Sequence, residues 1–137
     1  MPIKIISQKD IAGSLKGGNR QYLVGDLKKP QELEHIDDKD LEVGYSKYSE
    51  YTTLTPHRHT SCKEYQYVLN GKTKYLDLDT GEEFEVCKGD FFVIYPDTKY
   101  FQKALPETEI LFIKYPAGND KVVVEITEKQ KKWGEKY

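Results

Sequence analysis

Between residues 41 and 115 the chain breaks into short runs rich in β-branched and aromatic residues, each closed by a turn signal. The pattern predicts strands over Leu41–Tyr48, Thr52–His59, Glu64–Leu69, Lys72–Leu78, Glu83–Cys87, Phe91–Tyr95, Lys99–Lys103 and Ile110–Tyr115. "NGK" at Asn70–Lys72 and "DTGE" at Asp79–Glu82 read as hairpin turns. "CKGD" at Cys87–Asp90 and "YPDTK" at Tyr95–Lys99 supply two more turns, punctuated by Gly89 and Pro96. Strands this short and this regularly spaced, with no helical period between them, predict an all-β antiparallel sandwich or barrel.

The ends are less regular. Residues 1–40 read as an N-terminal extension in which "QYLVGDL" can add a strand at the sheet edge. "KKPQELEHIDDKD" reads as a solvated loop, with His35 at its surface. The barrel is expected over 41–116 and a charged tail over 117–137, where "TEKQKKWGEKY" is either a short helix docking Trp133 or a frayed end.

A chain of 137 residues suits one domain with one core. Hydrophobic residues make up 37% and charged residues 32%, the balance of a soluble globular protein. The formal charge is −2, with no basic run, so no electrostatic footprint for nucleic acid or an anionic membrane exists. "MPIKIISQKD" has too short an apolar stretch for a signal peptide, and no run is long enough to span a bilayer. Cys62 and Cys87 show neither metal-type spacing nor a disulfide framework. The expectation is a cytoplasmic protein whose cysteines are reduced side chains used for packing.

The chemistry concentrates in "TPHRHTSCKEYQYVLNG", Thr55 to Gly71. Residues two apart on a strand share a face, so His57 and His59 project together. If Thr52–His59 and Glu64–Leu69 pair as a hairpin, the Glu64 carboxylate comes beside both imidazoles. Two neutral nitrogens and one oxygen suit a first-row divalent ion, with open positions for water or substrate. The same face is expected to continue with Gln66, Thr55 and Thr53, a polar interior that calls for a ligand.

The spacing of His57, His59, Glu64 and Gly71 (H-x-H-x4-E-x6-G) closely resembles the first motif of the cupin superfamily. "GDFFVIYPDTKY", Gly89 to Tyr100, resembles the second, after a typical gap from Lys72 to Lys88. The resemblance covers roughly the central half of the chain. It implies a small jelly-roll β-barrel, often a homodimer, with a metal or small-molecule site inside. Where the second motif usually supplies a fourth metal-binding histidine, this chain has Tyr100. Asp97 replaces the usual turn glycine, and Tyr51 stands where the first motif has its leading glycine. A phenol binds metal only once acidified from a pKa near ~10. His57, His59 and Glu64 therefore remain the metal set for iron, manganese, nickel or zinc, and Tyr100 and Gln102 are expected to face inward beside them.

Three functions fit. In the first, a divalent ion at His57, His59 and Glu64 acts as a Lewis acid on a sugar or keto acid, or activates dioxygen. In the second, a metal-free isomerase or epimerase of sugar nucleotides uses His57 or His59 as base and Tyr100 as its proton-returning partner. Against it, Arg20 and Arg58 are the only arginines, and no basic cluster for a pyrophosphate is visible. In the third, the barrel binds or senses a metabolite without turnover. The fold and the dimer expectation (pairing through an edge strand) are common to all three.

Overall fold

Each run read as a strand between residues 41 and 115 is a strand, its ends shifted by at most two residues, in the computed structural model, which describes residues 2–137. In chain order these are β3 (Glu42–Tyr48), β4 (Thr52–His59), β5 (Lys63–Asn70), β6 (Lys72–Asp77), β7 (Glu83–Cys87), β8 (Phe91–Ile94), β9 (Tyr100–Ala104) and β10 (Thr108–Tyr115). Before them come helix α1 (Gln8–Ser14), β1 (Arg20–Gly25) and β2 (Ile36–Asp37); after them, β11 (Lys121–Val123) and helix α2 (Glu128–Trp133). One sheet runs β2-β1-β3-β10-β5-β8 and the other β11-β4-β9-β6-β7. Every pairing is antiparallel except that of β1 with β2. The two sheets face one another as a jelly roll.

This topology corrects two expectations. β4 and β5 do not pair: β4 is flanked by β9 and β11, and β5 by β10 and β8. The chain crosses between sheets at Thr60–Cys62, so Glu64 meets the histidines across the barrel rather than along a hairpin. "NGK" likewise turns a corner between sheets, because β5 and β6 belong to different ones. Gly71 sits there at φ 79°, and a Cβ would lie 2.7 Å from the Thr108 Cα. Of the two expected hairpin turns, only "DTGE" joins paired neighbours, β6 and β7.

A third correction concerns which face of β4 looks inward. Its pairing with β9 runs Leu54↔Gln102 and then His57↔Tyr100, three steps on one strand against two on the other. This β-bulge contains Pro56, which has no N–H to give to a ladder. It turns Leu54 inward, while Thr53 and Thr55 are exposed instead of lining the interior. Leu54 packs on Tyr48, Ala104 and Ile110, forming an apolar floor at one end of the barrel. The polar groups gather toward the other end.

The tail forms the short helix that docks Trp133, one of the two alternatives read for it, and residues 28–40 are a largely exposed loop interrupted by β2. Leu33 is a buried anchor within the loop that precedes β2. Helix α2 begins at a capping box formed by Thr127 and Gln130 and lays Trp133 against Phe101, ring centroids 5.4 Å apart. Lys103 donates to the Trp133 and Lys136 carbonyls at 2.7 and 2.9 Å, fastening the helix end to the outer face of β9.

Candidate functional site

His57 and His59 are buried on the inner face of β4, with their rings 5.0 Å apart at 87°. Each has its Nδ1 engaged outside the barrel centre. His57 Nδ1 lies 2.7 Å from the Thr55 carbonyl oxygen, and His59 Nδ1 lies 2.8 Å from Asp120 Oδ1. A carbonyl and a carboxylate only accept, so both rings carry hydrogen on Nδ1 and leave Nε2 as the nitrogen not engaged by that acceptor. Burial lowers the His57 pKa to about 4, against the Thr55 carbonyl bond that favours the charged form; Lys121 and His59 lower it further. His57 is a neutral imidazole at pH 7.

Glu64 projects from β5 into the space between the sheets. Its Oε1 lies 3.9 Å from His59 Nε2 and 3.9 Å from Lys114 Nζ. Its Oε2 accepts from the Gln66 amide and, at 3.3 Å, from the Tyr100 hydroxyl. Tyr75 donates in turn to Gln66 Oε1 at 2.5 Å, so the amide is held in one orientation. Tyr100 lies over His57 with centroids 4.6 Å apart. Burial first, and Glu64 second, push its phenol well above its ordinary value. It is therefore a hydrogen-bond donor to Glu64, not a phenolate. Gln102 is also buried and inward, but its amide donates to Thr73 Oγ1 at 3.0 Å, one layer nearer the floor. His35 is remote from these groups in the fold and pairs with Asp37 at 3.1 Å.

Asp120 is the residue that sequence reasoning missed. Besides His59 it accepts from the backbone N–H groups of Ser61 and Cys62, both at 2.9 Å, and from Ser61 Oγ at 3.2 Å. Burial raises its pKa, but these N–H donors and the His59 ring outweigh that and hold the carboxyl well below the usual carboxylate range. One side chain thus fixes both the crossing from β4 to β5 and the orientation of His59. Cys62 joins the cluster. His59, Cys62 and Asp120 offer ligand atoms within 4.8 Å of one another, a buried set that could bind a metal. Burial, followed by Asp120 and Glu64, pushes the Cys62 thiol up to about 12, so it is uncharged there. His57, His59 and Glu64 are more widely spaced than that set.

No protein-family model matches the chain, and no curated protein matches it. Solved structures do. A double-stranded β-helix domain protein from Klebsiella pneumoniae superposes with a TM-score of 0.61 over 90% of this chain and 98% of its own, at 14% identity. KdgF from Halomonas sp. gives 0.55 over 74% and 80%, at 24% identity. Pac13, a nucleoside dehydratase, gives 0.56 over 68% and 76%, at 19% identity. The chain has the cupin fold. At these identities the likeness is one of architecture, and the chemistry has to come from this chain's own residues.

A cavity of about 260 Å³ opens into the cupin barrel between β6–β7 and β8–β9. Tyr75, Asp77, Thr98 and Tyr100 are its polar lining residues, and Phe84, Val86, Phe92 and Ile94 are among its apolar walls. Both tyrosines thus bridge the Glu64 network and a space large enough for a small molecule. Tyr75, like Asp120, was not singled out in the sequence, where the chain's eleven tyrosines look alike.

Proposed function

We propose that the chain is a small-molecule enzyme of the cupin type in which His57, His59 and Glu64 hold a divalent ion. The observation that carries this reading is the orientation of the two imidazoles. Each is held from behind by an acceptor at Nδ1, at 2.7 and 2.8 Å, and His57 is neutral. A carboxylate oxygen stands 3.9 Å from one of them. This donor set of two imidazoles and a carboxylate suits iron, manganese, nickel or zinc. Such an ion supplies a Lewis acid for a carbonyl or hydroxyl of a sugar or keto acid.

The remaining residues have roles that follow from their bonds. Gln66, locked by Tyr75, fixes the plane of the Glu64 carboxylate. Tyr100 keeps its proton and holds it 3.3 Å from Glu64, at the edge of the cavity, where a bound ligand can accept it. The apolar walls offer contact to a ligand's non-polar side. Equilibrium dialysis of metal-stripped protein against zinc, manganese, nickel and iron(II), followed by elemental analysis, tests the reading. About one ion per chain is expected, with retention lost in His57→Ala. An unloaded wild type, or an unimpaired His57→Ala, overturns it.

The placement of Tyr100 over His57 also supports a second reading, a metal-free isomerase or epimerase with a histidine base. Incorporation of solvent deuterium into a keto-sugar nucleotide by metal-stripped protein is its test. No incorporation with any such substrate removes it.

A further inference from the structure

Two cations that are far apart in sequence meet over one buried ring of the barrel, and a third lies on an edge strand of the facing sheet. Arg20 pairs with Ser46 across β1 and β3, and its Nε donates to the buried Ser46 Oγ at 3.1 Å. The residue starts an exposed strand end, yet its guanidinium reaches inward, with Cζ 4.6 Å from the centre of the buried Phe112 ring. Lys114 points to the same ring from β10, with Nζ 5.3 Å from its centre. Lys121 lies opposite His59 in the β11–β4 ladder and so shares the inward face of that histidine. Its ammonium is pushed below its ordinary value, by burial first and then by Arg20 and Lys114.

Carboxylates do not match this charge. Lys114 lies 3.3 Å from Glu42 and 3.9 Å from Glu64. Arg20 and Lys121 form no ion pair among the described residues. Arg20 and Lys121 are exposed, so an anion from solution can reach them. If Glu64 serves a divalent ion, Lys114 shares one of its two carboxylates with that ion.

We propose that Arg20, Lys114 and Lys121 form an anion subsite beside the metal position, and that the ligand is an acidic small molecule. This rests on the metal-site reading and narrows its substrate class to compounds carrying a carboxylate or a phosphate. Arg20 presents its two terminal nitrogens as a fork for two oxygens, and the lysines add point charges. The ligand's anionic group sits against Arg20 while its carbonyl or hydroxyl reaches His57, His59 and Glu64.

Calorimetric titration of wild-type protein with acetate and with inorganic phosphate, at constant ionic strength, tests this in metal-loaded and metal-free forms. Saturable binding of at least one anion is expected, and whichever binds tighter identifies the group. Arg20→Gln is expected to weaken it about tenfold, and Lys121→Gln, on an edge strand, to weaken it measurably in a protein whose fold is undisturbed. No saturable binding of either anion, or unchanged affinity in both variants, overturns the subsite. Arg20-dependent anion binding by a protein that retains no metal upholds the subsite and removes the metal reading. Retained metal with no anion binding does the reverse.

Discussion

Asp120→Asn separates the account from a merely polar barrel. The wild-type carboxylate accepts four hydrogen bonds, from His59 Nδ1, the N–H groups of Ser61 and Cys62, and Ser61 Oγ. An amide has one acceptor end. With its oxygen toward Ser61 and Cys62, its NH2 faces His59 Nδ1 and forces the ring to carry its proton on Nε2, which removes the lone pair from the metal position. With its oxygen toward His59, the NH2 meets two N–H donors. Either arrangement gives up charge-assisted bonds worth about 1.5–3 kcal/mol each. Part is regained by the amide, so a net loss of about 2–4 kcal/mol of stability is expected. Loss of this outer-shell acceptor is expected to weaken metal binding about 10–100-fold. Urea unfolding of metal-free protein reads the first quantity, and metal titration against a competing chelator reads the second. The tautomer of His59, followed by nitrogen NMR, reads the cause. An Asp120→Asn protein with wild-type midpoint, affinity and tautomer would refute the reasoning.

Further outcomes follow from the same geometry. Gly71→Ala places a Cβ 2.7 Å from the Thr108 Cα at φ 79°, and thermal unfolding is expected to show a loss of about 2–4 kcal/mol. Leu54→Ala should cost about 2–3 kcal/mol in urea unfolding, whereas Thr53→Ala and Thr55→Ala should each cost under about 0.5, because the bulge sends only Leu54 inward. Equal costs at the three positions would contradict the bulge. Metal-free protein is expected to lose about 2–3 kcal/mol as pH falls from 6.5 to about 4 through the His57 transition. The sign follows from a folded-state pKa below the unfolded one: the unfolded chain takes up the proton first, so stability is complete above 6.5 and drains away below it. A His57→Gln protein with the same acid slope would exclude that origin.

The sequence made the barrel's middle legible because short runs ending in Gly, Pro and Asp turns leave few alternatives to strands. Which strands pair was not legible, since a corner between sheets and a hairpin use the same residues. Gly71 shows this: "NGK" is a good hairpin signal, and only the Thr108 backbone behind it reveals the corner. The bulge had a readable sign in Pro56, a residue that central strands exclude. His57 and His59 were placed inward from two-residue periodicity, Glu64 and Gln66 through a hairpin that does not form, and Tyr100 and Gln102 beside the motif resemblance; the structure has all six buried, while Thr53 and Thr55, placed on the same face, are exposed. Asp120 was out of reach because it meets His59 from 61 residues away, through a loop with no pattern of its own. Arg20, Lys114 and Lys121 were hidden for the same reason. Arg20 and Lys114 meet over Phe112 only because β1 and β10 both flank β3, and Lys121 comes from the edge of the facing sheet.

Anomalous diffraction at the absorption edge of zinc, from crystals of metal-loaded protein, tests the central claim most directly. The account predicts a single peak about 2.0–2.2 Å from the Nε2 atoms of His57 and His59 and from a Glu64 oxygen. A peak among His59, Cys62 and Asp120 instead, or no peak inside the barrel, would contradict it.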